Sequence, residues 1–393
     1  MKLWVGFDVG KASHWVCVLD EEGEVVLSRR VKATERDVEE CWSEIESLGG
    51  GRTVALDLLG GPATMLEAVL LGHGERVFFL PGMAVNRARD GYRGEQKSDE
   101  RDAKVIADQL RMRWRSLREI FVGDEEAAEM RTLLSYRRDL VGEQARSITR
   151  LRALLLEVFP GLEAALDLTK DRALVVLTKA TTPESVRRIG VSRLARWLKG
   201  RGVRRAHELA ETVVAAAKAQ RHRLPASEAK GALVSEMAAE VLRARRRIAT
   251  IDARLEELLC ARPEAEVVRS LPGMGLVFVA EFLSEVGTLS RFDSGDSLAA
   301  AAGLVPIRRA SGNTSFQRRA RRGNRVLKRL MYWSAFRSIT FHGPSRAFYD
   351  RKRAEGKAHH QAVIALARRR ANVLWAMLRD GQPYCERPPV QAA

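Results

Sequence analysis

The chain has 393 residues, 67 Lys and Arg against 50 Asp and Glu, a formal net charge of +17 and four cysteines. That length predicts two or three domains, and no apolar run approaches the roughly 18 residues of a membrane-spanning helix. The cysteines (Cys17, Cys41, Cys260 and Cys385) include no Cys-x-x-Cys pair, which speaks against a zinc site and a disulfide scaffold and for a reducing compartment.

The charge is uneven. Residues 1–100 carry a net −6, so the rest carries +23. An acidic front on a strongly basic remainder suggests a metal-bearing head and a nucleic-acid-binding body. The start of the chain reads as no signal peptide, because its short apolar run contains Asp8 and no cleavage site follows.

Residues 2–9, 13–19 and 25–31 predict three strands joined by turns at Gly10-Lys11 and Glu21-Glu22-Gly23. A helix follows with Thr34 as N-cap. Residues 52–58 then predict a strand, 63–71 a helix led by Pro62, and 76–80 a short buried strand. Meander strands followed by alternating helix and strand describe a mixed α/β sheet with helices packed on it.

Two carboxylates sit in these strands, Asp8 and Asp57, where an unpaired charge is expensive. A helix predicted over 102–113 opens from Lys97-Ser98-Asp99-Glu100-Arg101-Asp102-Ala103. Helical spacing puts Asp99 and Asp102 on one face, one turn apart. Like charges so close need a cation, and four carboxylates on two strands and a helix make an all-oxygen site suited to Mg²⁺ or Mn²⁺. The plainer alternative is a set of separate caps and ion pairs.

From about residue 124 the pattern becomes long helix. Leu134, Val141, Ile148 and Leu155 recur every seven residues, and Met237, Val241, Ala244, Ile248, Ile251, Leu255 and Leu258 step alternately by four and three. The second series is a heptad seam, which pairs either within one chain as a helical hairpin or between chains as a coiled coil. Residues 160–230 between them read as a basic helical insertion. After Arg262-Pro263, the turn Leu271-Pro272-Gly273-Met274-Gly275 leads into an apolar helix over 276–286. Gly273 and Gly275 there would let backbone N–H groups approach a phosphate.

No acidic residue occurs from Ser297 to Tyr349, a span with eleven basic ones, among them Arg308, Arg309, Arg318, Arg319, Arg321, Arg322, Arg325 and Lys328. Exposed helix faces normally mix signs, so one sign over such a length implies a polyanionic partner. Residues 308–315 read as a loop that holds Ser311, followed by glycine and flanked by arginines. A hydroxyl in that field is what a phosphoryl-transfer nucleophile requires, because arginines neutralise charge developing on the phosphorus oxygens.

With these residues assembled, the chain resembles the bridge-RNA-guided insertion-sequence transposases, serine recombinases with a RuvC-like N-terminus, to which the Piv-type DNA invertases are related. One block of the resemblance is Gly6-Phe7-Asp8-Val9-Gly10-Lys11, the Asp57 strand and the segment from Lys97 to Ala103. The other is Leu271-Pro272-Gly273-Met274-Gly275, Arg291-Phe292, Ala302-Gly303-Leu304-Val305-Pro306, Ser311-Gly312 and Arg322-Gly323-Asn324. The family's second acid is usually glutamate; here it is Asp57, one methylene shorter, so its reach differs.

The resemblance implies an α/β plus all-α chain: a RuvC-like (RNase H-like) metal-binding domain over 1–118, a coiled-coil region over 119–262, a serine transposase domain over 263–346 and a basic helical tail over 347–393. It implies that Asp8, Asp57, Asp99 and Asp102 bind Mg²⁺ and that Ser311 forms a covalent 5′-phosphoserine link with DNA. Lys11 and the arginines from 318 to 325 would position phosphates. The partners it implies are donor and target DNA, a structured non-coding guide RNA, and a homodimer that assembles into a tetramer, all in the bacterial cytoplasm and none in a membrane. Absence of an obvious base-reading module agrees with sequence choice by RNA pairing. Two other readings stand beside this one. A metal-dependent junction resolvase or nuclease would need the acids but not Ser311, and a non-enzymatic nucleic-acid-binding protein would need neither.

Overall fold

A computed structural model describes residues 2–89, 91–92, 98–120, 125–287, 289–311, 314–318, 320 and 323–386. The chain forms two compact units, Met1–Asp124 and Glu125–Ala393, and each is taken by itself.

The first unit runs β1 (Lys2–Asp8), β2 (Ser13–Leu19), β3 (Val25–Lys32), α1 (Glu35–Ser47), β4 (Gly51–Leu56), α2 (Thr64–Gly72), β5 (Val77–Phe79), α3 (Gly82–Arg89), α4 (Asp99–Arg113) and β6 (Arg118–Ile120). The six strands form one sheet in the order β3-β2-β1-β4-β5-β6. β1 pairs parallel with β4, and β4 with β5. The β1–β2, β2–β3 and β5–β6 pairs are antiparallel.

Side chains alternate across a strand, and both faces of β1 are covered. Leu3, Val5 and Phe7 join Trp42, Ile45, Leu66 and Leu70 of α1 and α2 in one core. Trp4 on the other face joins Ala55, Phe78, Ile106 and Leu110, under α4. Burial on both faces explains why β1 and β4 read as near-continuous apolar runs. Thr34 caps α1 as expected, accepting from the Asp37 N–H. Three expectations need adjustment. α4 begins at Asp99 rather than Asp102, because Ser98 caps it; β4 ends at Leu56, which leaves Asp57 just past the strand; and α3 and β6 were not foreseen.

The second unit opens with α5 (Glu125–Val158), α6 (Pro160–Ala165), α7 (Asp171–Leu177), α8 (Pro183–Lys199), α9 (Ala206–Ala219) and α10 (Ser227–Cys260). It continues with α11 (Pro263–Ser270), α12 (Leu276–Val286), α13 (Gly295–Ala301), the hairpin β7 (Ile307–Ser311) and β8 (Thr314–Arg318), α14 (Arg325–Ser338), α15 (Gly343–Ala354) and α16 (His359–Asp380). The open question of the heptad helices has an answer within the chain. α5 and α10 pack on each other antiparallel: Met130 and Leu134 meet Leu255 and Leu258 in one core, while Leu151 and Leu155 meet Val234 and Val241 in another. The ion pairs Arg254–Glu129, Arg137–Asp252 and Lys230–Glu157 follow the same antiparallel order. Val141, placed on the seam by its spacing, is exposed.

The long pair thus bridges two cores. One holds α6 to α9, the predicted helical insertion, and the other holds α11 to α14 and α16. Among the described residues no helix is long and apolar enough to cross a membrane. Cys17 and Cys41 are buried and Cys260 and Cys385 exposed, all as free thiols.

Candidate active site

β1 and β4 run side by side and parallel, with Phe7 opposite Leu56, so Asp8, the last residue of β1, and Asp57, just past β4, lie at the same end of the sheet. The Val9 N–H donates to Asp57 Oδ1 at 3.1 Å and ties the two strand ends together. By strand parity Asp8 lies on the face of Trp4 and Gly6, which is the face α4 covers. α4 crosses that face in close contact: a Cβ built on Gly6 would stand 2.4 Å from the Ala107 nitrogen and 2.5 Å from the Ala103 oxygen. That approach sets Asp102, one residue before Ala103, beside the strand ends. Asp102 is only 6% exposed.

Burial pushes the Asp57 carboxyl above the usual carboxylate range. The Val9 N–H and its own backbone N–H pull it back, and the negative charge of Asp102 adds to the rise. Two desolvated acids that feel each other's charge are a place for a cation. In this structure the cation is a side chain: Arg89, at the end of α3, donates from Nη1 to both carboxylate oxygens of Asp102 at 2.9 and 3.0 Å. Asp99 opens the first turn of α4 and is exposed. Among the described residues, no three His, Cys, Asp or Glu side chains are grouped tightly enough to hold one ion. Asp8, Asp57 and Asp102 are brought to one end of the sheet, and Asp99 stands one turn before Asp102 on α4.

Sequence reasoning missed Arg89. Its signal was faint: the run Asn86-Arg87-Ala88-Arg89-Asp90 has no heptad or capping pattern, and only the fold puts it opposite Asp102. Removing Arg89 leaves a buried carboxylate without a cation, which costs about 3 kcal/mol. Arg89→Ala should therefore lower the thermal midpoint in chelator and show a larger upward shift with added Mg²⁺ than the unsubstituted protein does. Equal shifts in thermal melts of the two would mean that Arg89 and a metal do not compete for Asp102.

The raised pKa of Asp57 makes its contribution to stability depend on pH. Such a group stabilises the fold when protonated, below the ordinary carboxylate pKa of about 4, and that contribution is lost as pH rises through the folded-state pKa. Asp57→Asn removes the penalty while its Oδ1 still accepts the Val9 N–H. In metal-free protein the variant should melt higher than wild type at neutral pH, with the gap closing as pH falls toward about 4. A gap that widens on acidification would refute the assignment.

The second unit carries the other candidates. In place of the loop expected over 308–315, the described residues form a hairpin, with Arg308 and Arg309 in β7, Arg318 ending β8 and Ser311 paired with Thr314, while Gly312 and Asn313 lie outside the described residues. Gly-Asn between alternating strands is a hairpin signal, and Gly312-Asn313 was that signal. Lys97, Arg319, Arg321 and Arg322 lie outside the described residues. Both roots of the hairpin are held together. Gly323 has φ +114°, and a Cβ there would meet the Gly303 nitrogen at 2.6 Å. The Asn324 N–H donates to the Ala301 oxygen at 2.7 Å, and its side chain caps α14 by accepting from the Val326 and Leu327 N–H groups at 2.9 and 3.1 Å. Gly323 and Asn324 thus form one clamp with Ala301 and Gly303.

Gly273 has a packing reason of its own. A Cβ there would stand 2.7 Å from the Ser334 oxygen of α14, whereas Gly275, the N-cap of α12, faces open space. The buried Arg370 donates to the Pro272 oxygen and to Ser334 Oγ at the same junction, and burial pushes its pKa down to about 10. Arg325 and Lys11 are exposed, and Lys328 donates to the Ala320 oxygen at 3.0 Å.

The transposase model DEDD_Tnp_IS110 matches residues 5–160, and the model described as transposase of the IS116/IS110/IS902 family matches residues 265–350. The chain is 42% identical over 387 residues to the 42 kDa protein of insertion element IS900 from Mycobacterium paratuberculosis, covering 97% of each. It is 41% identical over 393 residues to the 44.8 kDa protein of insertion element IS116 from Streptomyces clavuligerus, covering 99% of this chain and 98% of that one. Among solved structures, RuvC from T. thermophilus in complex with a Holliday junction substrate matches at 14% identity and TM-score 0.25, over 30% of this chain and all of that one.

Proposed function

The chain belongs to the IS116/IS110/IS902 family of transposases, and we propose that it cuts and rejoins DNA through a covalent link to Ser311, assisted by Mg²⁺ at Asp8, Asp57, Asp99 and Asp102. The observation that carries the reading is where the two family matches fall. Residues 5–160 include all four acids, and residues 265–350 include Ser311 with its arginines.

The donor set suits a hard divalent ion: oxygen only, with a desolvated carboxylate raised in pKa beside a second carboxylate. Asp8, Asp57, Asp99 and Asp102 would have to draw closer than they stand in this structure, with Asp102 released from Arg89, to hold it, and when bound it supplies polarisation of a phosphate oxygen and stabilisation of the developing alkoxide. The Ser311 hydroxyl attacks the phosphorus and gives its proton to solvent, and the 3′-oxygen of the cut strand leaves, taking up a proton to become a hydroxyl. The phosphoester keeps the energy of the broken bond, so reattack by another 3′-hydroxyl rejoins DNA with no nucleotide cofactor. Arg308, Arg309, Arg318, Arg319, Arg321, Arg322 and Arg325 hold phosphates by paired N–H groups, with Lys11 and Lys328 beside their own segments.

The strand order β3-β2-β1-β4-β5, with acids at the ends of two neighbouring parallel strands, supports a RuvC-like reading of the first unit. Guidance by a structured RNA fits the excess of backbone-binding arginine over base-reading side chains. Assembly as a homodimer and then a tetramer is part of the same reading, as are the domain limits 1–118, 119–262, 263–346 and 347–393.

The test is to trap the link. The protein is incubated with the RNA of its element, Mg²⁺ and end-labelled DNA carrying the element junction, then denatured. A labelled protein–DNA adduct is expected, dependent on both RNA and metal. Cut DNA without adduct would make the protein a water-using nuclease and Ser311 a turn residue.

A further inference from the structure

The helical insertion and α10 enclose a groove of about 980 Å³ that the catalytic reading leaves unused. Its floor is apolar, with Val175, Val203 and Leu242, and its walls are arginine. α7 contributes Arg172, the turn between α8 and α9 contributes Arg201, Arg204 and Arg205, and α10 contributes Arg243, Arg245 and Arg246. The single acid of the lining, Asp171, is taken by Arg245.

Some of these arginines have work within the fold. Arg245 also donates to the Thr169 oxygen at 3.0 Å, Arg201 lies over the Trp197 ring, and Arg205 faces Glu208 at 3.9 Å. Four do not. Arg172, Arg204, Arg243 and Arg246 are exposed, and among the described residues their side chains make no ion pair or hydrogen bond. Guanidinium groups gathered from three elements around one concavity repel one another, and Asp171, Glu208 and Asp167 offset that cost only in part. A surface built only for solubility would mix signs.

We propose that this groove is a second nucleic-acid site, holding the phosphodiester backbone of a strand away from the reacting segment. Guanidinium forks match phosphate oxygens. The lining has no amide or free carboxylate to read a base edge, and the Thr178 hydroxyl is spent on the Val175 oxygen, so recognition is of backbone and not of sequence. The inference rests on the reading of the chain as a nucleic-acid enzyme, and it adds a site that neither the acids nor Ser311 require. DNA and RNA share this chemistry, and the experiment separates them.

The full-length protein carrying Arg172→Gln, Arg204→Gln, Arg243→Gln and Arg246→Gln is compared with wild type and with a control that loses equal charge elsewhere (Arg36→Gln, Arg188→Gln, Arg221→Gln and Arg223→Gln). Binding to a duplex DNA and to a hairpin RNA of equal length is titrated at several salt concentrations. The groove variant should lose at least about tenfold in affinity, and its log–log salt slope should flatten by about three, for whichever nucleic acid the groove holds. The control should change far less. Loss confined to the RNA or to the DNA arm names the occupant. Equal losses in control and groove variant, or no loss on either ligand, overturn the proposal and leave the catalytic reading standing. Wild type that binds neither ligand overturns both. The double variant Arg204→Gln, Arg246→Gln, with about half the slope change, serves if the quadruple variant does not fold.

Discussion

Ser311→Ala is expected to abolish the covalent protein–DNA adduct and to reduce strand joining by at least about 10⁴-fold, the scale on which a removed nucleophile acts. On the proposed reading its oxygen makes the bond to phosphorus, so the loss should not be recovered by more metal or more protein. Asp102→Ala should lose the adduct as well, by a different route, since it removes a carboxylate from the proposed metal set and leaves Arg89 without its partner. The two are told apart by melting. Asp102→Ala should change the response of the thermal midpoint to Mg²⁺, and Ser311→Ala should leave that response as in wild type. Retention of cutting by Ser311→Ala, with no adduct formed even by wild type, would return the enzyme to the water-using class. Retention of the adduct itself would show that another residue is the nucleophile.

Gly6→Ala is expected to be nearly as damaging, although it touches no reacting group. Gly6 lies in β1, between β2 and β4 of the six-stranded sheet, opposite Cys17 on one side and Ala55 on the other. The new methyl would meet the backbone of α4 at 2.4 and 2.5 Å, and backbone cannot rotate away as a side chain does. Either α4 lifts from the sheet by about an ångström or β1 buckles. Overpacking of this kind costs about 3 kcal/mol, which in a unit of this size lowers the melting midpoint by at least about 10 °C. Because Asp102 rides on α4 and Asp8 on β1, the same shift separates the acids, and misplacement by about 1 Å costs on the order of 10²-fold in rate. Thermal melts and adduct yield should fall together. A Gly6→Ala protein with unchanged midpoint and adduct would show that the close crossing of α4 is not what positions the acids.

Much of this was legible in the residues. The apolar runs of β1 and β4 and the Thr34 cap depend on local alternation and hydrogen bonding, which a short window contains. Ile251, Leu255 and Leu258 announced a buried helical seam for the same reason. The four acids stood out because charge in or beside a buried run has few explanations. Other features were not legible. Arg89 meets Asp102 across 13 residues only because α3 and α4 pack on one face of the sheet. Gly-Asn at 312–313 was outweighed by the surrounding arginines, which read as loop until β7 and β8 pair. Gly273 looked like a phosphate-contacting glycine, and its packing against Ser334 appears only with α14 in place.

By itself, then, the sequence determined most of the elements, the two-part division of charge and the family, and it singled out the acids and the serine as candidates, because these rest on residue type and on spacing along the chain. Tertiary structure decided what those residues meet. It paired α5 with α10 inside one chain, put Arg89 on Asp102, clamped the hairpin through Gly323 and Gly303, and gathered arginines from α7, the α8–α9 turn and α10 around one groove. The physical reason is that contact energies depend on distance in space. Residues far apart in sequence carry no local mark of the neighbour that folding will give them.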